Sequence, residues 1–506
     1  MSKPIPLIPD IESFRKKTAQ GNTIPVFTQL SADYETPLSV YQRVRNGKYS
    51  FLLESAENTF TIGRYSFIGS DPRMVFQMQG RDVSLISGDG VKRYESDLDP
   101  LAELERIMER FKPVKADELP EFSGGAVGYL GFDCVRYFEP TIGEPPADSL
   151  GVPDAVYMIA DTLVIYDHLL RRISLVANVC VDDYDSVDAA YAAGREKVER
   201  LVASLDAPVQ HSPFNVLRKS DEADPEFVSN TTREEFYAAV EKAKEYIKAG
   251  DVFQVVPSQR FEMPYSGDPI ELFRALRNVN PSPYMFCLEF PDDFALVGSS
   301  PELQVRCIDG TVEVRPIAGT RWRGATPQED EALANDLLAD PKERAEHIML
   351  VDLARNDIGR VADFQSVDVN ELMVIERYSH VMHIVSNVTG RLKDGFTAYD
   401  VMRASFPAGT VSGAPKVRAL QIIYELEKNK RCAYAGTVGY FGFDGDFDSC
   451  ITLRTCVVND GKAFVQAGAG VVADSSPEYE YQETRNKARG MMYAIRQAQM
   501  LADGEH

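Results

Sequence analysis

The sequence predicts a protein of two large units, each mixing short alternating strands with amphipathic helices. Three observations carry that reading. The chain has 506 residues, several times the roughly 100–200 of an ordinary domain. Period-two and helical hydrophobic patterns occur in both halves. A polar run with three prolines, Asp206–Asn230, parts them, which sets the expected units at residues 1–210 and 225–506.

In the first unit, alternation predicts strands at Tyr49–Glu54, Arg73–Gln79, Thr162–Tyr166 and Ile173–Val179, and a helix over Leu101–Phe111. Glu139–Asp154 holds four prolines and reads as a long surface loop. The second unit opens on a helix. Thr232 and Glu235 form a capping box, Phe236, Val240, Ala243 and Ile247 share one face, and Gly250 ends it. Asp251–Met263 then alternates as one strand. Two more helices start at Asp340-Pro341 and Ser476-Pro477, each with a polar N-cap and proline in the first turn. Gly125–Asp133 and Gly436–Asp444 agree at seven of nine positions, which predicts an equivalent strand in each half.

With 54 basic against 77 acidic side chains, the formal net charge is −23. This excludes a general nucleic-acid binder and disfavours anionic membrane surfaces. The N-terminus lacks the basic and apolar regions of a signal peptide, and no apolar run is long enough to span a bilayer. Seven scattered cysteines without a C-x-x-C pair predict a reducing, cytoplasmic location. An acidic protein acting on an anion needs a local positive exception.

Four features could supply such chemistry. Glu343 and Glu346 share one helix face, as do Glu480 and Glu483, with Lys487 a turn further on. Like charges at this spacing repel, and a hard divalent cation would remove the penalty. The competing reading makes Glu343 a first-turn acid favoured by the helix dipole. Gln466–Pro477 and Ala408–Lys416 are small-residue loops leading into helices; without a Walker or G-x-G-x-x-G pattern they give nucleotide binding no support. His383 alternates with Met382 in a strand, where a histidine is more often a core residue than a catalyst. Arg454, placed by its flanks in another strand, is costly to bury unless it meets an anion. Together these suggest a metal-assisted site for a small carboxylate.

Pro316–Arg321, Glu346–Asp357, Ser412–Lys416 and Gln482–Thr484 occur in one order that resembles the chorismate-utilising enzymes. The match is strong over residues 226–499 and looser through Leu52–Glu57 and Gly124–Asp133. The resemblance implies an α+β fold, a two-half antiparallel β-sandwich lined with helices, with chorismate in a cleft of the second half. It implies that Glu346 and Glu480 hold Mg²⁺ directly while Glu343 and Glu483 complete the acidic cluster through water. Arg454, Tyr434, Gly468, Gly470 and Lys487 are expected around the enolpyruvyl carboxylate, and Gly319, Thr320 and Thr410 around the ring. Glu302 is the expected general acid for the departing ring hydroxyl. His383 is expected to handle the proton at ring carbon 2 or orient that hydroxyl.

Two positions discriminate among the siblings. Aminodeoxychorismate synthases carry a nucleophilic lysine where this chain has Ala318, and isochorismate and salicylate synthases a lysine base where it has Gln254. Both departures leave ammonia to attack unaided and point to the anthranilate-forming branch. No glutaminase signature is present, so the resemblance implies a separate glutamine amidotransferase subunit as ammonia source. Glu54 and Ser55, with Pro281, Tyr284 and Met285, resemble the family's tryptophan-feedback motif. A non-catalytic carboxylate- or tryptophan-binding relative is the reading from another class.

Overall fold

The computed structural model describes residues 5–55, 63–209, 226–378 and 381–502. Among the expectations above, Ala56 and Glu57, and residues 210–225 of the polar run between the units, lie outside the described residues. Two large antiparallel sheets lie face to face, with helices on the outer side of each. This is the α+β architecture expected.

Phe27, Phe51 and Leu288 of one sheet meet Val127, Tyr129 and Val156 of the other in a core between the sheets. Leu52 and Cys287 face outward onto helices Pro269–Val279 and Pro477–Ala502. Phe76 and Val305 face outward onto helices Pro100–Met108, Pro341–Gly359 and Ala398–Ser405. Side chains of this size contribute about 1.5–3 kcal/mol each on full burial. Local signals place the helix ends. Thr232 and Glu235 cap helix Arg233–Ala249 reciprocally, and Gly250 closes it at φ 86°. Asp340 accepts from the backbone N–H groups of Lys342 and Glu343.

The first sheet runs, in spatial order, Thr23–Ser31, Arg172–Cys180, Thr162–Asp167, Tyr65–Ser70, Ser50–Glu54, then Tyr284–Glu289, Ala295–Ser300, Thr455–Asn459, Lys462–Gly468 and Ser258–Pro264, with Val228–Ser229 at its edge. The five strands after Ser50–Glu54 repeat the first five in mirrored order. The second sheet is mirrored likewise around Gly125–Leu130 and Thr437–Gly442, except that the second half adds Ile317–Trp322 and Asp368–Arg377, both paired with Val381–Arg391. Each sheet therefore draws on both halves of the chain.

The two echo strands are antiparallel neighbours, with Gly128 opposite Gly439. Because those glycines occupy the same place in their repeats, a local two-fold axis passes between them. In the first sheet the corresponding centre lies between Leu52 and Cys287. Phe51 crosses onto Gly69, and Phe286 onto Gly298. A Cβ on Gly69 would stand 2.3 Å from the Phe51 ring, and one on Gly298 2.2 Å from the Phe286 ring. Both halves thus close the same gap with the same pair of residues.

Two expectations fail locally. Asp251–Met263 is not one strand: Gln254–Val255 pairs with Gly413–Ala414 in a separate small sheet, and only Ser258–Pro264 joins the large one. Pro257, which has no N–H, stands at the break. Arg454 is not inside a strand; it occupies the bend between Phe447–Ile451 and Thr455–Asn459, at φ 46°. The first-half helix starts at Pro100, where the Asp99 carboxylate accepts from Leu101 and Ala102, and ends at Met108.

Candidate active site

Strands change sheets at two corners of the second half. Ala295–Ser300 belongs to the first sheet and Leu303–Ile308 to the second, so Glu302 sits on the crossover. Phe447–Ile451 and Thr455–Asn459 cross back, and Arg454 sits on that bend. Glu302 is buried, and burial pushes its carboxyl up to about 8, while the Thr410 hydroxyl, Lys487 and Arg454 oppose the rise. The acid is therefore neutral at pH 7 and can donate a proton. Burial also lowers the Arg454 guanidinium, with Glu302 the main opposing charge. Among the described residues Arg454 has no salt-bridge partner. A non-glycine residue held at positive φ stores strain of about 1–3 kcal/mol, which concentrates at functional sites.

His383 faces strand Ile317–Trp322. Its Nδ1 lies 2.8 Å from the Gly319 carbonyl and 3.2 Å from Thr320 Oγ1. The carbonyl can only accept, so Nδ1 carries the proton and Nε2 keeps a lone pair. Burial lowers the imidazole, the Gly319 bond raises it, and Arg454 lowers it further, favouring the neutral ring. Gly319 has φ 70°, and a Cβ there would meet Glu343 Oε2 at 2.9 Å. The left-handed backbone favours glycine here, and any Cβ would also push the Glu343 carboxylate aside.

A second cluster forms around Gly468 and Gly470. Tyr434 is buried with its phenol pushed up to about 12, chiefly by burial, and its oxygen lies beside Gly468. Lys487 Nζ donates to the Gly468 carbonyl at 3.1 Å and pairs with Glu483 at 2.7 Å. Gln254 lies against Gly470 and donates to Glu346 at 3.0 Å.

Of the four helix glutamates, Glu343 is raised by burial and by its neighbour Glu346, and lies 3.7 Å from Arg321. Glu480 is raised by burial, with Glu483 adding to the rise and Lys342 of the other helix opposing it. The N-terminal ends of the two helices therefore feel one another. Among the described residues no three His, Cys, Asp or Glu side chains form a closed metal cage. Within each helix the two glutamates are near enough to repel, Glu346 raising Glu343 and Glu483 raising Glu480. Such oxygen-only donors fit a hard divalent ion that takes one or two carboxylates and fills its shell with water and substrate.

Away from this cleft, Glu54 and Met285 stand opposite each other across the two-fold centre of the first sheet. Glu54 is buried, its Oε2 has no hydrogen-bond partner among the described residues, and Arg277 stands 3.6 Å away. Tyr284 points between the sheets instead, and its hydroxyl donates to Asp448 at 3.2 Å. Ser55 follows at the strand end, and Pro281 is exposed beyond helix Pro269–Val279. Sequence reading missed Arg277; the signal was the repeat. Glu289 is the counterpart of Glu54, each three residues past its glycine-covering phenylalanine, and Arg45 reaches Glu289 at 3.2 Å as Arg277 reaches Glu54. In that copy Tyr41 and Arg45 both bond Glu289 and Asp268 holds Arg45, so the cradle is filled by the protein itself.

Compared with known proteins, residues 48–493 match the family described as chorismate binding enzyme. The chain is 49% identical over 494 residues to anthranilate synthase component 1 of Pseudomonas putida, covering 97% of this chain and 99% of that one. It is 47% identical to the Aquifex aeolicus protein of the same description, covering 96% and 97%. The crystal structure of anthranilate synthase component I from Streptococcus pneumoniae matches with a TM-score of 0.76 at 36% identity, over 92% of this chain and 99% of that one. The menaquinone-specific isochorismate synthase of Escherichia coli shares the fold, with a TM-score of 0.70 at 18% identity, over 96% and 98% of the two chains.

Proposed function

The chain belongs to the chorismate-binding enzyme family, among the anthranilate synthase component 1 sequences, and on that premise we propose how its residues convert chorismate and ammonia into anthranilate and pyruvate. The observation that carries the reading is the pairing of a buried, neutral Glu302 with a half-buried Arg454 that has no carboxylate partner among the described residues. Arg454, Lys487 and Tyr434 receive the enolpyruvyl carboxylate beside Gly468 and Gly470. Gly319, Thr320 and Thr410 flank the ring. Ammonia adds at ring carbon 2 while Glu302 protonates the carbon-4 hydroxyl, which leaves as water. His383 Nε2 then takes the carbon-2 proton as the carbon-3 ether C–O bond breaks. The departing enolpyruvate receives that proton at its methylene carbon and becomes pyruvate, and the ammonium gives its extra proton back to Glu302, leaving the aromatic amine.

Glu346 and Glu480 would hold Mg²⁺, with Glu343 and Glu483 behind them. The ion supplies charge neutralisation and a template for the ring carboxylate. Gln254 serves as an ammonia-compatible neutral side chain where a lysine would deprotonate water.

Residues 1–210 form the regulatory unit and 225–506 the catalytic one in this reading. Tryptophan is the feedback ligand: its ammonium would satisfy Glu54 Oε2, with Ser55 and Met285 beside it and Pro281 flanking, while Tyr284 faces the other side of the sheet. The contrast with the self-filled Glu289 cradle supports this. A glutamine amidotransferase subunit supplies ammonia, and the enzyme works in the cytoplasm, consistent with seven unpaired, buried thiols. Among the described residues no helix is long and apolar enough to cross a membrane. Chorismate, ammonium and Mg²⁺ added to the isolated chain should produce anthranilate fluorescence. A silent mixture would refute the reading.

A further inference from the structure

Arg431 lies between helix Lys416–Leu426 and strand Thr437–Gly442, and its side chain is 1% exposed. Its guanidinium ties together segments that are remote in sequence. Nη1 donates to the Val411 carbonyl at 2.8 Å and Nη2 to the Val256 carbonyl at 2.6 Å. Nη2 and Nε hold the Glu427 carboxylate at 2.6 and 2.9 Å. The same carboxylate accepts from the Ser258 N–H and hydroxyl, both at 2.8 Å. The guanidinium plane lies over Tyr434, 5.5 Å from its centroid, and over Phe132 at 4.5 Å.

Each tethered point adjoins a residue of the cleft. Val411 follows Thr410, Val256 is two residues past Gln254, and Ser258 stands opposite Gly468 in the sheet. Tyr434 is touched directly. We infer that Arg431 is a positioning residue that sets the chorismate pocket, holding the Gln254, Thr410, Tyr434 and Gly468 segments in one register.

This role explains why the position is charged. A buried ion pair gains little stability over well-packed apolar side chains of similar volume, because desolvation offsets the attraction. A planar fork with five N–H donors does what an apolar side chain cannot: it binds two backbone carbonyls and a carboxylate at fixed angles. A lysine keeps the charge without that fork.

The inference rests on the pocket assignment under Proposed function, so the experiment separates the two. Chorismate KM, kcat and thermal midpoint are measured with saturating ammonium and Mg²⁺ for the parent, Tyr434→Phe, Arg431→Lys and the double variant Arg431→Met/Glu427→Met. Tyr434→Phe with a parental KM would overturn the pocket assignment itself. Given a raised KM there, Arg431→Lys should raise chorismate KM roughly ten- to a hundredfold, the cost of a displaced binding group. The double variant should keep a near-parental thermal midpoint yet share the raised KM. A double variant with parental stability and parental KM would show that the ion pair only fills space, and a parental KM in Arg431→Lys would likewise overturn the proposal. If the double variant does not fold, Arg431→Lys alone decides.

Discussion

Gln254 donates a hydrogen bond from Nε2 to Glu346 Oε1 at 3.0 Å. The neutral amide thus touches a carboxylate of the proposed metal site without cancelling its charge. Gln254→Lys would place an ammonium there and compete with Mg²⁺. Ammonia-dependent turnover should fall at least about tenfold and the Mg²⁺ needed for half-maximal rate should rise, since one unmatched charge contact is worth over 1.4 kcal/mol. Initial rates of anthranilate formation across a Mg²⁺ titration test this; unchanged turnover would remove Gln254 from the site.

Glu302 gives the pH dependence a definite sign. Its folded pKa of about 8 lies above the ordinary 4.5. Its contribution to stability is therefore complete below the ordinary value and is lost as pH climbs to about 8. As a general acid it is active in the protonated form, so kcat/KM should decline above pH about 8. Glu302→Gln should cost roughly 10²–10⁴-fold in kcat and abolish that alkaline limb. A variant retaining the parental profile would assign the proton to another group.

Removing the divalent ion should silence the enzyme. EDTA is expected to abolish the fluorescence signal and excess Mg²⁺ to restore it. Glu346→Gln should need far more Mg²⁺ for the same rate, whereas a variant with an unchanged titration would exclude Glu346 as a ligand.

The regulatory cradle predicts a separation of functions. Ser55→Phe should leave kcat intact and raise the tryptophan concentration for half-inhibition. Glu54→Gln should act the same way, roughly tenfold or more, because a charge-assisted bond becomes a neutral one. Superimposable inhibition curves for variant and parent would displace tryptophan from this cradle.

The glycine–phenylalanine pairs predict stability. Gly69→Ala places a methyl 2.3 Å from the Phe51 ring carbons, well inside contact distance. Overpacking of this kind costs about 1–3 kcal/mol. Thermal unfolding should shift downward by several degrees, and Phe51→Leu in the same chain should recover part of the loss.

Much of this was visible in the chain as written. Caps at Thr232 and Asp340, the alternation of Thr162–Asp167 and the paired helix glutamates are local patterns, set by neighbours within a turn or a pleat. The Gly125 and Gly436 repeats announced two equivalent strands, and the substitution of Ala318 and Gln254 for lysines separated this chain from its siblings. The placement of Arg454 failed because alternation extends through a bend as readily as along a strand. The broken Asp251–Met263 segment failed for the same reason, since the pairing of Gln254 with Ala414 lies 160 residues away.

Side-chain types, helix ends and the presence of a repeat follow from residues close together in the chain, where geometry is local. Which residues meet does not. Glu302 and Arg454 come together only because two strands change sheets at adjoining corners, and Arg277 finds Glu54 only because a two-fold pairing brings the halves side by side. Cross-strand register is decided by the packing of both sheets at once, and no periodicity within one strand encodes its partner.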